Sequence, residues 1–335
     1  MTSLSQDRVS LLEVDGLAVD YGLKGVSLRA IDGVSFSLRA GEAVGLVGES
    51  GSGKTTTAMA IAGLLSPNAR VSEGEVRYRG ERLPIDDDAA MRPHRWSETS
   101  VVFQGAMNAL NPVHRIIKQI AEPCMLKLGM SRGEATARAR ELLKFVGIPA
   151  DRGAAYPHEL SGGMRQRVMI AMALACRPSI VIGDEPTTAL DVITQAQILK
   201  LLGELRSRLG LALILITHDL SVVAECCDRV MIMYAGRIVE DGTVAEIFAE
   251  PKHPYTRLLI ESIPNPASGK RIIRPIPGDP PNLMNRPSGC AFHPRCPSAM
   301  GVCATEVPSL DKFGWGRVAC HLHRSSQEDK VAAHA

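Results

Sequence analysis

Gly48-Glu49-Ser50-Gly51-Ser52-Gly53-Lys54-Thr55 fits the pattern G-x-x-x-x-G-K-[ST], and its flanks decide the fold. The apolar run Ala43 to Val47 precedes it as a buried strand, and a helix-competent run, Thr56 to Leu65, follows. Between a strand and a helix, the glycines let successive backbone N–H groups turn inward around phosphate oxygens. The new helix offers the same anion its unpaired N–H groups and positive dipole end. Lys54 adds a point charge near the β- and γ-phosphates, and the Thr55 hydroxyl is a ligand for Mg²⁺. A chance glycine-rich turn would lack these flanks. The stretch from Gly48 through Ser50, Gly51, Ser52, Gly53 and Lys54 to Thr55 and Thr56 reads as a nucleoside-triphosphate site.

The rest of the chain must carry a fold large enough to frame that site. With 335 residues, two or more units are expected. Charged residues are 22 % and the net charge is +2, so no electrostatic grip on nucleic acid is indicated. The longest apolar run, Leu211 to Ile216, falls far short of the ~20 residues that span a bilayer. Asp7 and Glu13 stand where a secretory signal would need a basic segment and an apolar core. A soluble intracellular chain is expected, and any membrane role then needs a partner that spans.

Upstream of the loop, Leu11–Val14, Leu17–Tyr21 and Val34–Leu38 read as short strands. Gly74 to Gly80 reads as a hairpin-like alternation, Asp86-Asp87-Asp88 as a solvated loop, and Val101 to Gln104 as a strand with a polar end. From Asn108 to Cys176 the periodicity is helical: Ser131-Arg132-Gly133-Glu134 has capping-box spacing, and Gly147 and Pro149 stop that helix. A further helix starts near Ser161. Strands return at Ser179–Ile182, Leu211–Ile216, Arg229–Tyr234 and Arg237–Glu240, with a helix ending at Gly210 between the first two. Strands alternating with helices define an α/β fold with a mostly parallel sheet, into which residues 108–176 are inserted. From Pro251, prolines at 264, 266, 275, 277, 280, 281 and 287 read as an extended, poorly packed connector. Residues 324–335 read as a disordered polar tail.

Two further motifs carry chemistry. Asp184-Glu185 ends an apolar strand, and adjacent carboxylates there can serve Mg²⁺ and an attacking water; alone, the pair would read as a solvated turn. Leu160-Ser161-Gly162-Gly163-Met164-Arg165-Gln166 sets a serine and two glycines at a helix N-terminus, which is either an ordinary cap or a second anion site. One bound nucleotide needs only one such site from a subunit, so a second points to a neighbour's nucleotide.

The phosphate loop, Gln104, LSGGMRQ, Gly183-Asp184-Glu185-Pro186, Leu190-Asp191 and His218 occur in the order found in ATP-binding-cassette (ABC) ATPases, and residues 10–250 resemble that family. The resemblance implies an ABC-type nucleotide-binding domain: a P-loop core with an antiparallel β subdomain and a helical insertion. It implies a head-to-tail pair of cassettes that clamps two ATP molecules between one phosphate loop and the other's Ser161-Gly162-Gly163. In that picture Glu185 is the general base, His218 the γ-phosphate switch, and Gln104 the sensor of Mg²⁺ and water. Asp184 joins Thr55 at Mg²⁺, Asp191 faces the opposite subunit, and Tyr21 stacks on adenine. Gly105-Ala106 replaces the family's frequent Asp-Pro after Gln104, where a transmembrane subunit docks, and Gly183 replaces a frequent alanine.

Beyond residue 250, Glu250-Pro251-Lys252-His253-Pro254-Tyr255-Thr256-Arg257-Leu258-Leu259 and Gly289-Cys290-Ala291-Phe292-His293-Pro294-Arg295-Cys296-Pro297 resemble the extension of the oligopeptide/dipeptide/nickel importer ATPases. A small cysteine-containing extension over 251–323 is therefore expected. Cys124, Cys176, Cys226 and Cys227 sit among apolar residues as small hydrophobes, whereas Cys290, Cys296, Cys303 and Cys320 fall within thirty-one residues. A cytosolic chain rarely spends such a group on disulfides, so metal or cluster binding leads. Members with this pattern are similar to ones that hold a [4Fe–4S] cluster. The spacings of five, six and sixteen intervening residues do not match the C-x₂-C zinc ribbon. Zn²⁺ remains the alternative, with His293, His321 and His323 as further ligands, and four unligated buried thiols the blandest reading.

The resemblance implies an ATPase subunit of a bacterial importer for peptides or similar solutes, peripheral on the cytoplasmic face of the inner membrane. Its expected partners are a second and different ABC ATPase chain, two permease subunits and, indirectly, a substrate-binding protein. The rival readings are a soluble ABC ATPase of DNA repair or translation and an iron–sulfur regulator with a vestigial ATPase. Against the first stands the single cassette without a coiled-coil or zinc insertion; against the second, the intact catalytic set.

Overall fold

The computed structural model describes residues 10–23, 25–105, 109–263 and 276–323. Ala106, Asn108, the prolines at 264, 266 and 275, and the tail 324–335 lie outside the described residues.

The strands β3 (Ala43–Val47), β7 (Ile180–Asp184) and β8 (Ala212–Thr217) are buried along their whole length. Continuous apolar runs are what a parallel sheet needs when helices or a second sheet cover both faces. With β6 (Thr99–Val102), β9 (Arg229–Tyr234), β10 (Arg237–Thr243), β11 (Asp311–Phe313) and β12 (Gly316–Val318) they form one eight-stranded sheet, ordered β11-β12-β10-β9-β3-β8-β7-β6. The strands β9, β3, β8, β7 and β6 run parallel, and the outer three pair antiparallel.

Side chains alternate between the two faces with period two. Ile180, Ile182, Ile214 and Ile216 face one apolar cluster, made with the helix Lys54–Ile61 and the inner face of a second sheet. Val181, Leu213 and Leu215 face another, made with the helices Gly162–Ala173 and Val192–Leu209. That second sheet is antiparallel, ordered β2-β1-β4-β5, from β1 (Leu12–Leu23), β2 (Val26–Leu38), β4 (Ala69–Tyr78) and β5 (Glu81–Arg82). Where the sequence predicts two short strands before Tyr21, one long strand forms. A register shift between Val14 and Leu17 absorbs the Asp15-Gly16 break. Asp86-Asp87-Asp88 is not a plain loop either: the Asp87 carboxylate accepts from the Ala89 and Ala90 N–H groups and caps the short helix Asp88–Met91. The helical part contains Ile116–Leu128, Arg132–Phe145 with its Ser131/Glu134 capping box, and Gly162–Ala173.

The described residues 276–287 of the proline-rich stretch are mostly exposed and irregular, as its composition predicts, but the chain on either side of them is well packed. The helix Pro254–Glu261 buries Tyr255 completely, and Phe292 is 1 % exposed. Tyr234, Tyr255 and Phe292 form a ring cluster with centroids 4.6–5.3 Å apart, each such pair adding about 0.5–1.5 kcal/mol beyond its buried area. The buried Glu240 carboxylate accepts from the Lys252 and His253 N–H groups at 2.6 and 3.0 Å, pinning the entry to that helix. These anchors are few and widely spaced, so composition hides them. Phe292→Ala should cost on the order of 3–5 kcal/mol and lower the thermal unfolding midpoint of the full chain by several degrees. Scanning calorimetry checks this, and an unmoved midpoint would mean that this region packs independently of the sheet.

Candidate functional site

The turns after β3, β6, β7 and β8 all leave the same edge of the sheet, outside the carboxyl ends of parallel strands, where ligands of such sheets bind. Pairing places Val47 beside Thr217 and Asp184 beside Ile216, so the ends of β3, β8 and β7 lie level. In the phosphate loop Gly53 has φ +102° at the start of its helix, a conformation L-residues avoid. At Gly48 a Cβ would run into the Met233 carbonyl and the Ser52 hydroxyl. Lys54 is buried, and its Nζ donates to the Gly48 and Glu49 carbonyls at 2.7 and 2.9 Å. Burial pushes the Lys54 ammonium down, while the carboxylates of Glu185, Asp184 and Glu49 oppose that.

Thr55 Oγ1 donates to Asp184 Oδ1 at 3.1 Å, bringing together two hard oxygen ligands of the kind Mg²⁺ prefers. Burial raises the Asp184 carboxyl above its usual range; the Thr55 hydrogen bond opposes this and the neighbouring Glu185 charge adds to it. A divalent cation at these oxygens would reverse that shift, because it favours the ionised form.

Glu185 sits at φ +45°, and its N–H donates to the Ile216 carbonyl at 2.9 Å. Its Oε2 accepts from Gln104 Nε2 at 2.7 Å and from Thr188 Oγ1 at 2.9 Å, and His218 Nδ1 lies 3.1 Å from Oε1. Burial pushes the Glu185 carboxyl up, but hydrogen bonds from His218 and Thr188 and the charges of His218 and Lys54 outweigh it. The net result is a carboxyl held below its usual range. A depressed carboxyl stays ionised through neutral pH, the state a general base requires.

Lys54, Thr55, Gln104 and Glu185 line one cleft of about 430 Å³, whose other wall is apolar: Tyr21, Leu23, Leu28, Ala30 and Leu283. The Tyr21 hydroxyl lies 3.3 Å from Thr56 Oγ1, which ties that wall to the helix after the loop. An apolar end beside an anion cradle suits a base joined to phosphates. The sequence reading misses Thr188, an unremarkable turn residue, and Leu283, which reaches the cleft from far along the chain.

Ser161, Gly162, Gly163 and Asp191 lie away from this cleft. Ser161 is exposed and caps its helix, accepting from the Met164 N–H at 3.3 Å. Gly163 lies against Thr194, where a Cβ would overlap the threonine methyl, and Asp191 accepts from the Thr194 N–H and hydroxyl at 2.9 and 2.7 Å. The four form one outward-facing patch.

Cys290, Cys296, Cys303 and Cys320 share a neighbourhood: the Cys290 N–H donates to the Cys303 carbonyl at 2.8 Å. Burial pushes the Cys320 thiol up to about 11, and the other three cysteines add to that. Among the described residues, however, no three His, Cys, Asp or Glu side chains converge as a single metal ion requires. Neither the expected [4Fe–4S] cluster nor the zinc alternative therefore gains support from the geometry. His293, His321 and His323 each set a ring nitrogen 2.9–3.0 Å from a backbone carbonyl.

Comparison with known proteins agrees with this geometry. Residues 31–188 match the family described as ABC transporter, and residues 239–303 match that described as oligopeptide/dipeptide transporter, C-terminal region. A dipeptide transport ATP-binding protein of Haemophilus influenzae is 45 % identical, over 96 % of this chain and 98 % of its own. An oligopeptide transport ATP-binding protein of Salmonella typhimurium is 46 % identical, over 95 % and 96 %. A solved dimeric ABC cassette in a post-hydrolysis state with ADP and phosphate superposes with a TM-score of 0.63 at 30 % identity, covering 70 % of this chain and 98 % of its own. The chain belongs to the ATP-binding-cassette ATPases, within the group of peptide-transport ATP-binding proteins.

If Glu185 is the base, the acid limb of single-turnover hydrolysis should lie below the ordinary carboxylate range. Thr188→Val removes one donor to its carboxylate, so that limb should move to higher pH. A pH–rate profile of both proteins checks this; coincident limbs would remove Thr188 from the argument.

Proposed function

We propose that this chain is one ATP-hydrolysing subunit of an importer for peptides or similar small solutes. It works beside a second, different ABC ATPase, with two permease subunits and a substrate-binding protein delivering the solute. Among the described residues no helix is long and apolar enough to cross a membrane, so in this reading the chain binds peripherally at the cytoplasmic face of the inner membrane. The observation that carries the proposal is the Glu185 carboxylate fixed beside the phosphate loop by Gln104, Thr188 and His218, with Ser161-Gly162-Gly163 facing outward on the same chain.

In the proposed reaction the loop N–H groups and Lys54 hold the β- and γ-phosphates, and the Tyr21 wall receives the base. Thr55 and Asp184, together with Gln104, would hold Mg²⁺, which would supply charge neutralisation on the transferred phosphoryl group. Glu185 orients water and takes up its proton; His218 reports whether the γ-phosphate is present. The Ser161 patch with Asp191 completes the partner's site, so hydrolysis is possible only when two cassettes close. That dependence is what converts hydrolysis into movement of the permease.

We further propose that Cys290, Cys296, Cys303 and Cys320 hold a [4Fe–4S] cluster. Four cysteines within one short region are the ligand type that iron–sulfur clusters use. In anaerobically purified protein, iron and acid-labile sulfide should each approach four per chain with a broad visible absorption; stoichiometric zinc in a colourless protein would contradict this. For transport, the chain assembled with its permease in vesicles should hydrolyse ATP faster when peptide-loaded binding protein is added. Hydrolysis indifferent to peptide and binding protein would contradict the importer role.

A further inference from the structure

Glu49, the second residue of the phosphate loop, is held by residues more than two hundred positions away. Its carboxylate accepts two hydrogen bonds from the Arg295 guanidinium, at 2.7 and 3.0 Å, and its N–H donates to the Tyr255 hydroxyl at 2.9 Å. Its carbonyl accepts from Lys54 Nζ at 2.9 Å, so all three polar parts of the residue are engaged. Arg295 is itself fixed: Nε donates to the Pro277 carbonyl at 2.7 Å, and Nη1 lies 3.2 Å from the Tyr234 hydroxyl. The Arg295 side chain is 6 % exposed and Tyr255 is fully buried, so the arrangement is part of the packed interior.

An acidic side chain in an anion-binding loop is electrostatically adverse. Left free, the Glu49 carboxylate would repel the phosphates and compete for Lys54, whose ammonium already feels its field. A two-pronged Arg–carboxylate pair neutralises the charge and fixes its direction, which a lysine does less well. We infer that Arg295 and Tyr255 are positioning residues for the phosphate loop, making the region after residue 250 a working part of the ATP site. Neither touches the cleft, so their effect passes through Glu49.

The test is binding of trinitrophenyl-labelled ATP, ADP and AMP to the full chain. Arg295→Gln leaves the Glu49 charge unpaired beside the phosphates. It should weaken ATP and ADP by about tenfold, the usual scale for losing a charge-assisted hydrogen bond, and AMP by less than about twofold. Adding Glu49→Gln to Arg295→Gln removes the stranded charge and should recover most of the loss, a coupling the double-mutant cycle measures. Equal weakening of all three nucleotides, or no recovery in the double variant, would overturn the inference. Tyr255→Phe keeps the ring packing and removes only the hydroxyl; it should weaken ATP by about threefold, again sparing AMP. Unchanged ATP binding in Tyr255→Phe would remove Tyr255 from the account, whether or not Arg295→Gln folds.

Discussion

The level register of β3, β8 and β7 is the constraint on which the rest depends. Each strand is apolar on both faces, so a slip of one residue would turn every side chain toward the wrong cluster. The same pairing that satisfies burial sets Lys54 and Thr55 beside Asp184, and Glu185 beside His218. Chemistry therefore sits where packing is least negotiable, while the loops that carry it remain accessible to solvent.

The second constraint is electrostatic. Three carboxylates, Glu49, Asp184 and Glu185, act on the buried ammonium of Lys54. Each has its own partner: Arg295 for Glu49, the Thr55 hydroxyl for Asp184, and Gln104, Thr188 and His218 for Glu185. Dividing the negative charge in this way keeps Lys54 turned toward loop carbonyls that phosphate oxygens can displace. It also leaves Asp184 as the carboxylate whose burial a divalent cation would best offset.

Legibility in the sequence followed the range of the interactions. The phosphate loop, the Asp184-Glu185 strand end and the Ser131/Glu134 capping box depend on spacings of a few residues, and the structure has them where those spacings put them. Burial on both faces announced β3, β7 and β8 as apolar runs. The strands Asp311–Phe313 and Gly316–Val318 are three residues each, too short to show any period, yet they extend the main sheet. The Arg295–Glu49 pair spans 246 residues, and nothing local to either side chain announces the other. The aromatic cluster of Tyr234, Tyr255 and Phe292 was hidden for the same reason, beneath a proline-rich composition that reads as loose chain.

The central claim is that this phosphate loop forms half of a site completed by a second cassette. Light scattering of the Glu185→Gln chain mixed with its partner ATPase, in the presence of ATP and Mg²⁺, tests it most directly. An ATP-dependent dimer with little turnover is expected, returned to monomers when Ser161→Arg is added to the same chain. A monomer at saturating ATP, or undiminished hydrolysis in Glu185→Gln, would contradict it.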